Sequence, residues 1–204
     1  MQRISLATSL PAAVGACLLG AVVALAGTPI DETVPARSDS EVKIENLAGS
    51  VTVTVGSDDQ IRITGTLGEN AKRLDVKTDD EDVHIHVVLP RRVEDIAGTD
   101  LVVEVPKGAE LSIETVSADV SVEGVEGKID VETVSGETGL NVPAGAGRLR
   151  LESVSGPVTV RGEIADLRAE SVSGRIDIEG ADGEVEASTT NGDIRLVGGD
   201  LNDI

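Results

Sequence analysis

Thr133-Val134-Ser135-Gly136 recurs along this chain. Its other copies are Thr115-Val116-Ser117-Ala118, Ser153-Val154-Ser155-Gly156, Ser171-Val172-Ser173-Gly174 and, most altered, Thr189-Thr190-Asn191-Gly192. Successive copies lie 18, 20, 18 and 18 residues apart. A unit that short cannot own a hydrophobic core, so the copies must stack on one another to bury anything.

Side-chain parity within one unit says how the chain travels. Leu111, Ile113 and Thr115 share one parity, while Val116, Val120 and Val122 have the other. Side chains on a strand alternate strictly, so the switch demands a bend between Thr115 and Val120, where the repeated Ser-Gly sits. Further parity changes follow Gly124 and surround Gly127. Three bends in 18 residues describe a chain that wraps once around an axis. The predicted fold is all-β, a single-stranded β-solenoid (β-helix) with coils of about 18 residues. In this reading the glycine permits the bend, the serine forms a ladder and the valine reopens the inward face.

Charges test that register. In stacked coils equivalent positions are neighbours about 4.8 Å apart. Asp130 then meets Arg150, Arg168 meets Glu186, Arg161 meets Glu179, and Asp177 meets Arg195. All four pairs are of opposite sign, as cross-strand pairing favours. The long interval is assigned to two extra residues near Glu137-Thr138-Gly139, a bulged corner and candidate interaction loop.

The regular coils span 109–204. Residues 41–108 read as less regular coils, with strand-like alternation in Val42-Lys43-Ile44, Val51-Thr52-Val53-Thr54-Val55, Ile61-Arg62-Ile63, Leu74-Asp75-Val76 and Val83-His84-Ile85-His86-Val87. A worn copy of the repeat appears early, as Ile44-Glu45-Asn46-Leu47-Ala48-Gly49. Residues 27–40, with Pro29 and Pro35, read as a polar linker. No helix is expected beyond the N-terminal segment.

Residues 1–26 read as a signal peptide: Arg3, an apolar run through Leu25, and the small-residue site Ala24-Leu25-Ala26. Val14-Gly15-Ala16-Cys17 loosely matches a lipoprotein box, and the uncharged stretch from Ile4 to Ala26 is long enough to remain as an anchor. Each alternative exports the rest of the chain, to the periplasm, envelope or exterior. Cys17 is the single cysteine, so no disulfide or thiolate metal site is available to the mature part.

Composition excludes several functions. Net charge is −20, which repels nucleic acid and anionic lipid and leaves the N-terminal segment as the only membrane contact expected. Aromatic residues are absent, so no platform exists for stacking bases or sugar rings. The repeated serines have no histidine or lysine beside them in sequence, and a nucleophile needs a base. Ser117, Ser135, Ser155, Ser173 and Asn191 are therefore read as a structural ladder at the corner. Glu114, Glu132, Glu152 and Glu170 form an acidic row, but a flat row does not converge oxygens on a cation. His84 and His86, the only histidines, share one strand face and are metal candidates, with Asp79, Asp80, Glu81 or Asp82 as a third ligand. No phosphate-binding loop is present, and neither cofactor nor catalytic residue is expected.

Leu101-Val102-Val103-Glu104-Val105-Pro106-Lys107-Gly108, then Leu111-Ser112-Ile113-Glu114-Thr115 and the Ser-Gly repeats, resembles the bacterial putative-adhesin family, a domain of unknown function in exported and envelope proteins. The resemblance covers about residues 40–204. It implies a β-helix at the cell surface or in the periplasm and transfers no catalytic residue. The expected function is a non-catalytic, adhesion-like interaction scaffold with an envelope or surface protein or glycan as partner. Two alternatives remain: a structural protein pairing end to end through its last coil, and a polysaccharide-acting enzyme.

Overall fold

The computed structural model describes residues 27–79, 82–90 and 97–198. The segment read as a signal, with Cys17, and the chain beyond Gly198 lie outside the described residues. In chain order the strands are β1 (Thr28–Pro35), β2 (Glu41–Val55), β3 (Gln60–Leu67), β4 (Arg73–Asp79), β5 (Asp82–Val88), β6 (Thr99–Val105), β7 (Glu110–Glu123) and β8 (Ile129–Ser135). They continue with β9 (Thr138–Val142), β10 (Leu149–Ser155), β11 (Val158–Gly162), β12 (Asp166–Ser171), β13 (Ile176–Glu179), β14 (Glu184–Thr189) and β15 (Ile194–Val197). No described residue is helical.

Two parallel ladders carry the repeats. One runs β2–β7–β8–β10–β12–β14, and the other leaves the C-terminal part of β7 through β9, β11, β13 and β15. Leu111, Ile129, Leu149, Leu167 and Val185 stand in one column of the first ladder. Val120, Thr138, Val158, Ile176 and Ile194 stand in one column of the second. The third side of each coil shrinks to one inward residue, Val125, Ala146, Ile164 or Ala181, all buried. Aliphatic side chains suffice because the core between the ladders is thin. Val, Ile and Leu also suit strands buried on parallel ladders. The sheet is open at its ends, and the fold is a β-solenoid as the repeat predicts.

The predicted register is the observed one at all four charge pairs. Arg161 Nε lies 3.1 Å from Glu179, and Arg168 reaches Glu186 at 3.0 Å. Arg150 stands beside Asp130 but turns along its own strand to Glu152.

The N-terminal half differs from the sequence reading in two ways. First, 41–108 holds two coils and a cap. β2 is one coil, and β5 with β6 forms another stacked on its far side, with Ile44 beside Ile85 and Val53 beside Val103. Antiparallel β3 on β6 and β4 on β5 then close that end. Second, the expected linker contains β1, paired along its whole length with β3. Ile30 is buried there, and its flanking prolines are tolerated because β1 is an edge strand.

The two extra residues are also placed elsewhere. Thr138 is in register with Val120 before it and Val158 after it, so Glu137-Thr138-Gly139 contains no insertion. Register is kept through Val142, opposite Gly162, and is shifted by two once β10 meets β12 at Leu149 and Leu167. The longer return is therefore 143–148. Thr138, buried at 1%, holds an inward place that the other coils give to valine or isoleucine, and this hides the register from a parity argument.

Stacking distance makes glycine obligatory at position 156. A Cβ on Gly156 would lie 2.0 Å from the carbonyl oxygen of Gly136 in the preceding coil. Gly156→Ala should cost about 2–3 kcal/mol in urea unfolding. Gly145→Ala, at φ +85° but with nothing within 4 Å of the added carbon, should cost only about 1 kcal/mol.

Candidate interaction groove

The corner between the two ladders generates the main concave surface. At each corner the Thr or Ser side chain turns inward: Thr115, Thr133, Ser153 and Ser171 are all buried, as is Asn46 in the first worn copy. Thr115 Oγ1 donates to Thr133 Oγ1 at 2.9 Å, and Thr133 Oγ1 donates to the Ser135 carbonyl at 3.2 Å. Further along, the Gly174 N–H donates to Ser171 Oγ at 2.8 Å, and Asn46 Nδ2 donates to the Thr99 carbonyl at 2.9 Å. These groups serve backbone atoms that the bend would otherwise leave unpaired.

The buried polar column is thus Asn46, Thr115, Thr133, Ser153 and Ser171, two residues before the serines read as the ladder. Ser135 Oγ donates to the Val116 carbonyl at 3.0 Å and lies 3.4 Å from Ser117 Oγ. Ser155, Ser173 and Asn191 are exposed, and among the described residues their side chains make no hydrogen bond. Ladder bonding through the outer serines is confined to its first step.

The repeated valine also departs from the sequence reading. Val116, Val134, Val154 and Val172 are 43–46% exposed. The bend consumes two outward residues, Val116 and Ser117, before Ala118 turns in, so Val120 and not Val116 resumes the inward face. Four valines consequently form an apolar row on the outside. Beside it runs the acidic row, extended by the structure to Glu45, Glu114, Glu132, Glu152 and Glu170 in direct register. The two rows wall a groove of about 750 Å³, with the corner Thr and Ser residues between them. It opens near His86 and Leu89 and runs out at Ser188 and Thr190.

Most of the acids are paired. Lys43 Nζ lies 2.8 Å from Glu114 and 3.1 Å from Glu45. Its pKa is raised, first by the Glu114 hydrogen bond and then by that to Glu45. Burial works against ionisation of Glu45, yet Lys43 and the two histidines together hold its carboxyl below the ordinary value. Arg150 and Arg168 bond Glu152 and Glu170 on their own strands, which raises both arginines further. Glu132, at mid-groove, has no ion pair among the described residues.

The histidines meet a different acid from those expected. Asp79 and Asp82 face each other across the β4–β5 pair, and Asp80 and Glu81 lie outside the described residues. Glu45, on the neighbouring strand β2, lies 3.2 Å from His84 Nε2 and 2.6 Å from His86 Nδ1. The worn repeat around Glu45 is a signal of its position, but nothing in sequence joins it to residues 84–86. Among the described residues no serine hydroxyl bonds a histidine or lysine.

Thr133→Val should lower stability by about 1 kcal/mol, since it removes both bonds of a buried hydroxyl. Ser155→Ala should stay within about 0.5 kcal/mol of wild type. Paired urea titrations check both.

A family model described as Toastrack DUF4097 matches residues 37–203. Among solved structures, a putative cell adhesion protein from Clostridium sporogenes is 8% identical, covering 83% of this chain and 99% of that one at a TM-score of 0.41. A putative adhesin from Parabacteroides distasonis is 13% identical, covering 87% and 98% at a TM-score of 0.41. One from Bacteroides fragilis is 17% identical, covering 87% and 97% at a TM-score of 0.35. No curated protein matches.

Proposed function

The chain belongs to the Toastrack DUF4097 family, and on that premise we propose that it is an exported, non-catalytic interaction scaffold of the cell envelope. Its working surface is the corner groove. One observation carries the reading: an unbroken row of exposed valines lies beside an acidic row along the stack. Contiguous exposed apolar surface of this kind marks an interaction site. The partner it suits is an extended protein segment bearing aliphatic and basic side chains, the latter drawn by Glu132 and by the net charge of −20. A glycan is the poorer fit, because no aromatic residue offers a stacking face.

Val134→Asp with Val154→Asp should reduce capture of an envelope protein at least roughly tenfold, as loss of apolar contact at a hot spot does. Asn141→Asp, on the exposed face of the second ladder, should leave capture unchanged. Capture undiminished by the double substitution rules the groove out.

A second reading, end-to-end assembly, is favoured by the last coil. Among the described residues β14 and β15 are each paired along one edge only, and Ile194 and Val197 are more than 40% exposed. An open apolar edge is a template for another strand. Sedimentation velocity should then show mass rising with concentration, and a strict monomer at high concentration eliminates it.

A further inference from the structure

Alternation along β5 sends Val83, Ile85 and Val87 into the core and leaves His84 and His86 on the outer face. Parallel pairing with β2 sets His84 beside Lys43 and His86 beside Glu45. The Glu45 carboxylate consequently spans both rings, one oxygen at 3.2 Å from His84 Nε2 and the other at 2.6 Å from His86 Nδ1. One ligand atom from each of the three residues fits within a span of 4.8 Å.

Both of those nitrogens are shielded from solvent and lack a hydrogen-bond partner of acceptable geometry. Two lone pairs repel, so a ring nitrogen turned toward a carboxylate needs a proton or a metal cation between them. One divalent cation fills that role for both rings at once. Tetrahedral metal bonds of about 2.0–2.2 Å need ligand atoms roughly 3.4 Å apart, which lies inside the span already present. We infer that Glu45, His84 and His86 form a binding site for a divalent first-row transition metal.

Two imidazoles and one carboxylate select Zn²⁺, Ni²⁺ or Cu²⁺ over Mg²⁺ or Ca²⁺, which prefer all-oxygen shells. Three protein ligands leave a fourth position open. It faces the head of the groove, because Glu45 and His86 both line it. Lys43 is the built-in competitor: its ammonium lies 3.1 Å from Glu45, but it has Glu114 at 2.8 Å as an alternative partner when a metal takes the carboxylate. The site stands on its own residues and does not require the groove to bind a partner.

Calorimetric titration of the whole chain with Zn²⁺, joined to imidazole NMR, tests the site directly. His84 and His86 are the only histidines, so either single alanine variant assigns both ring signals. One ion per chain is expected, with both rings perturbed together. His84→Ala, His86→Ala and Glu45→Gln should each weaken binding by roughly tenfold or more. Lys43→Met should tighten it several-fold, and Glu132→Gln should leave it unchanged. Co²⁺ should give a ligand-field spectrum that His86→Ala abolishes. Circular dichroism and thermal melts of each variant separate ligand loss from misfolding. No saturable binding by folded wild type, or binding indifferent to both histidine substitutions, overturns the inference. So does equal weakening by Glu132→Gln, which would mean diffuse attraction to the acidic surface.

Discussion

Every coil of this protein depends on its neighbours for backbone hydrogen bonds. A single wrap of 18 residues pairs none of its strand N–H or C=O groups with itself, and burying them unpaired is costly. Parallel, in-register stacking satisfies them at a spacing of about 4.8 Å and leaves little freedom elsewhere. It accounts for the glycine at 156, where a Cβ would strike the Gly136 carbonyl. It also accounts for the columns of Val, Ile and Leu, since each inward residue must pack on its own equivalent above and below. The antiparallel cap of β1, β3 and β4 ends the stack on one side, where pairing in parallel stops.

The same constraint manufactures surface features. Anything repeated in sequence becomes a stripe along the axis, whatever its chemistry. The corner needs two outward residues to turn, so a repeated valine becomes an apolar stripe and the glutamate two residues before it an acidic one. Like charges about 4.8 Å apart repel by about 1 kcal/mol in water before screening. Arg150, Arg168 and Lys43 relieve this at Glu152, Glu170 and Glu114. Glu132 is left without such relief, and the groove keeps its negative field at the middle.

Periodic features are legible in the amino-acid sequence alone. The interval between copies, the inward parity of Leu111 and Ile113, and the pairing of Arg168 with Glu186 all follow from repetition. Features that do not repeat, and the local geometry of a bend, are what sequence hides. Thr138 resembles part of an insertion because it is polar, although its backbone occupies an inward strand position. Val116 reads as inward because it shares parity with Val120, although the bend between them takes an extra outward residue. Residues 28–35 resemble a linker because the prolines and acids of an edge strand are also those of a loop.

The amino-acid sequence by itself determined the coil, its period and the four charge pairs between coils, because a short repeat can be satisfied only by stacking on itself. Tertiary structure alone decided which non-repeating parts meet. β2 precedes β3 to β6 in the chain but lies between β5 and β7 in space, since both its edges carry backbone groups that need partners. That placement brings Glu45 against His84 and His86, and it turns the corner stripes into a groove headed by Glu45 and His86. Strand order in a sheet follows hydrogen-bond demand rather than chain order, and local sequence carries no record of it.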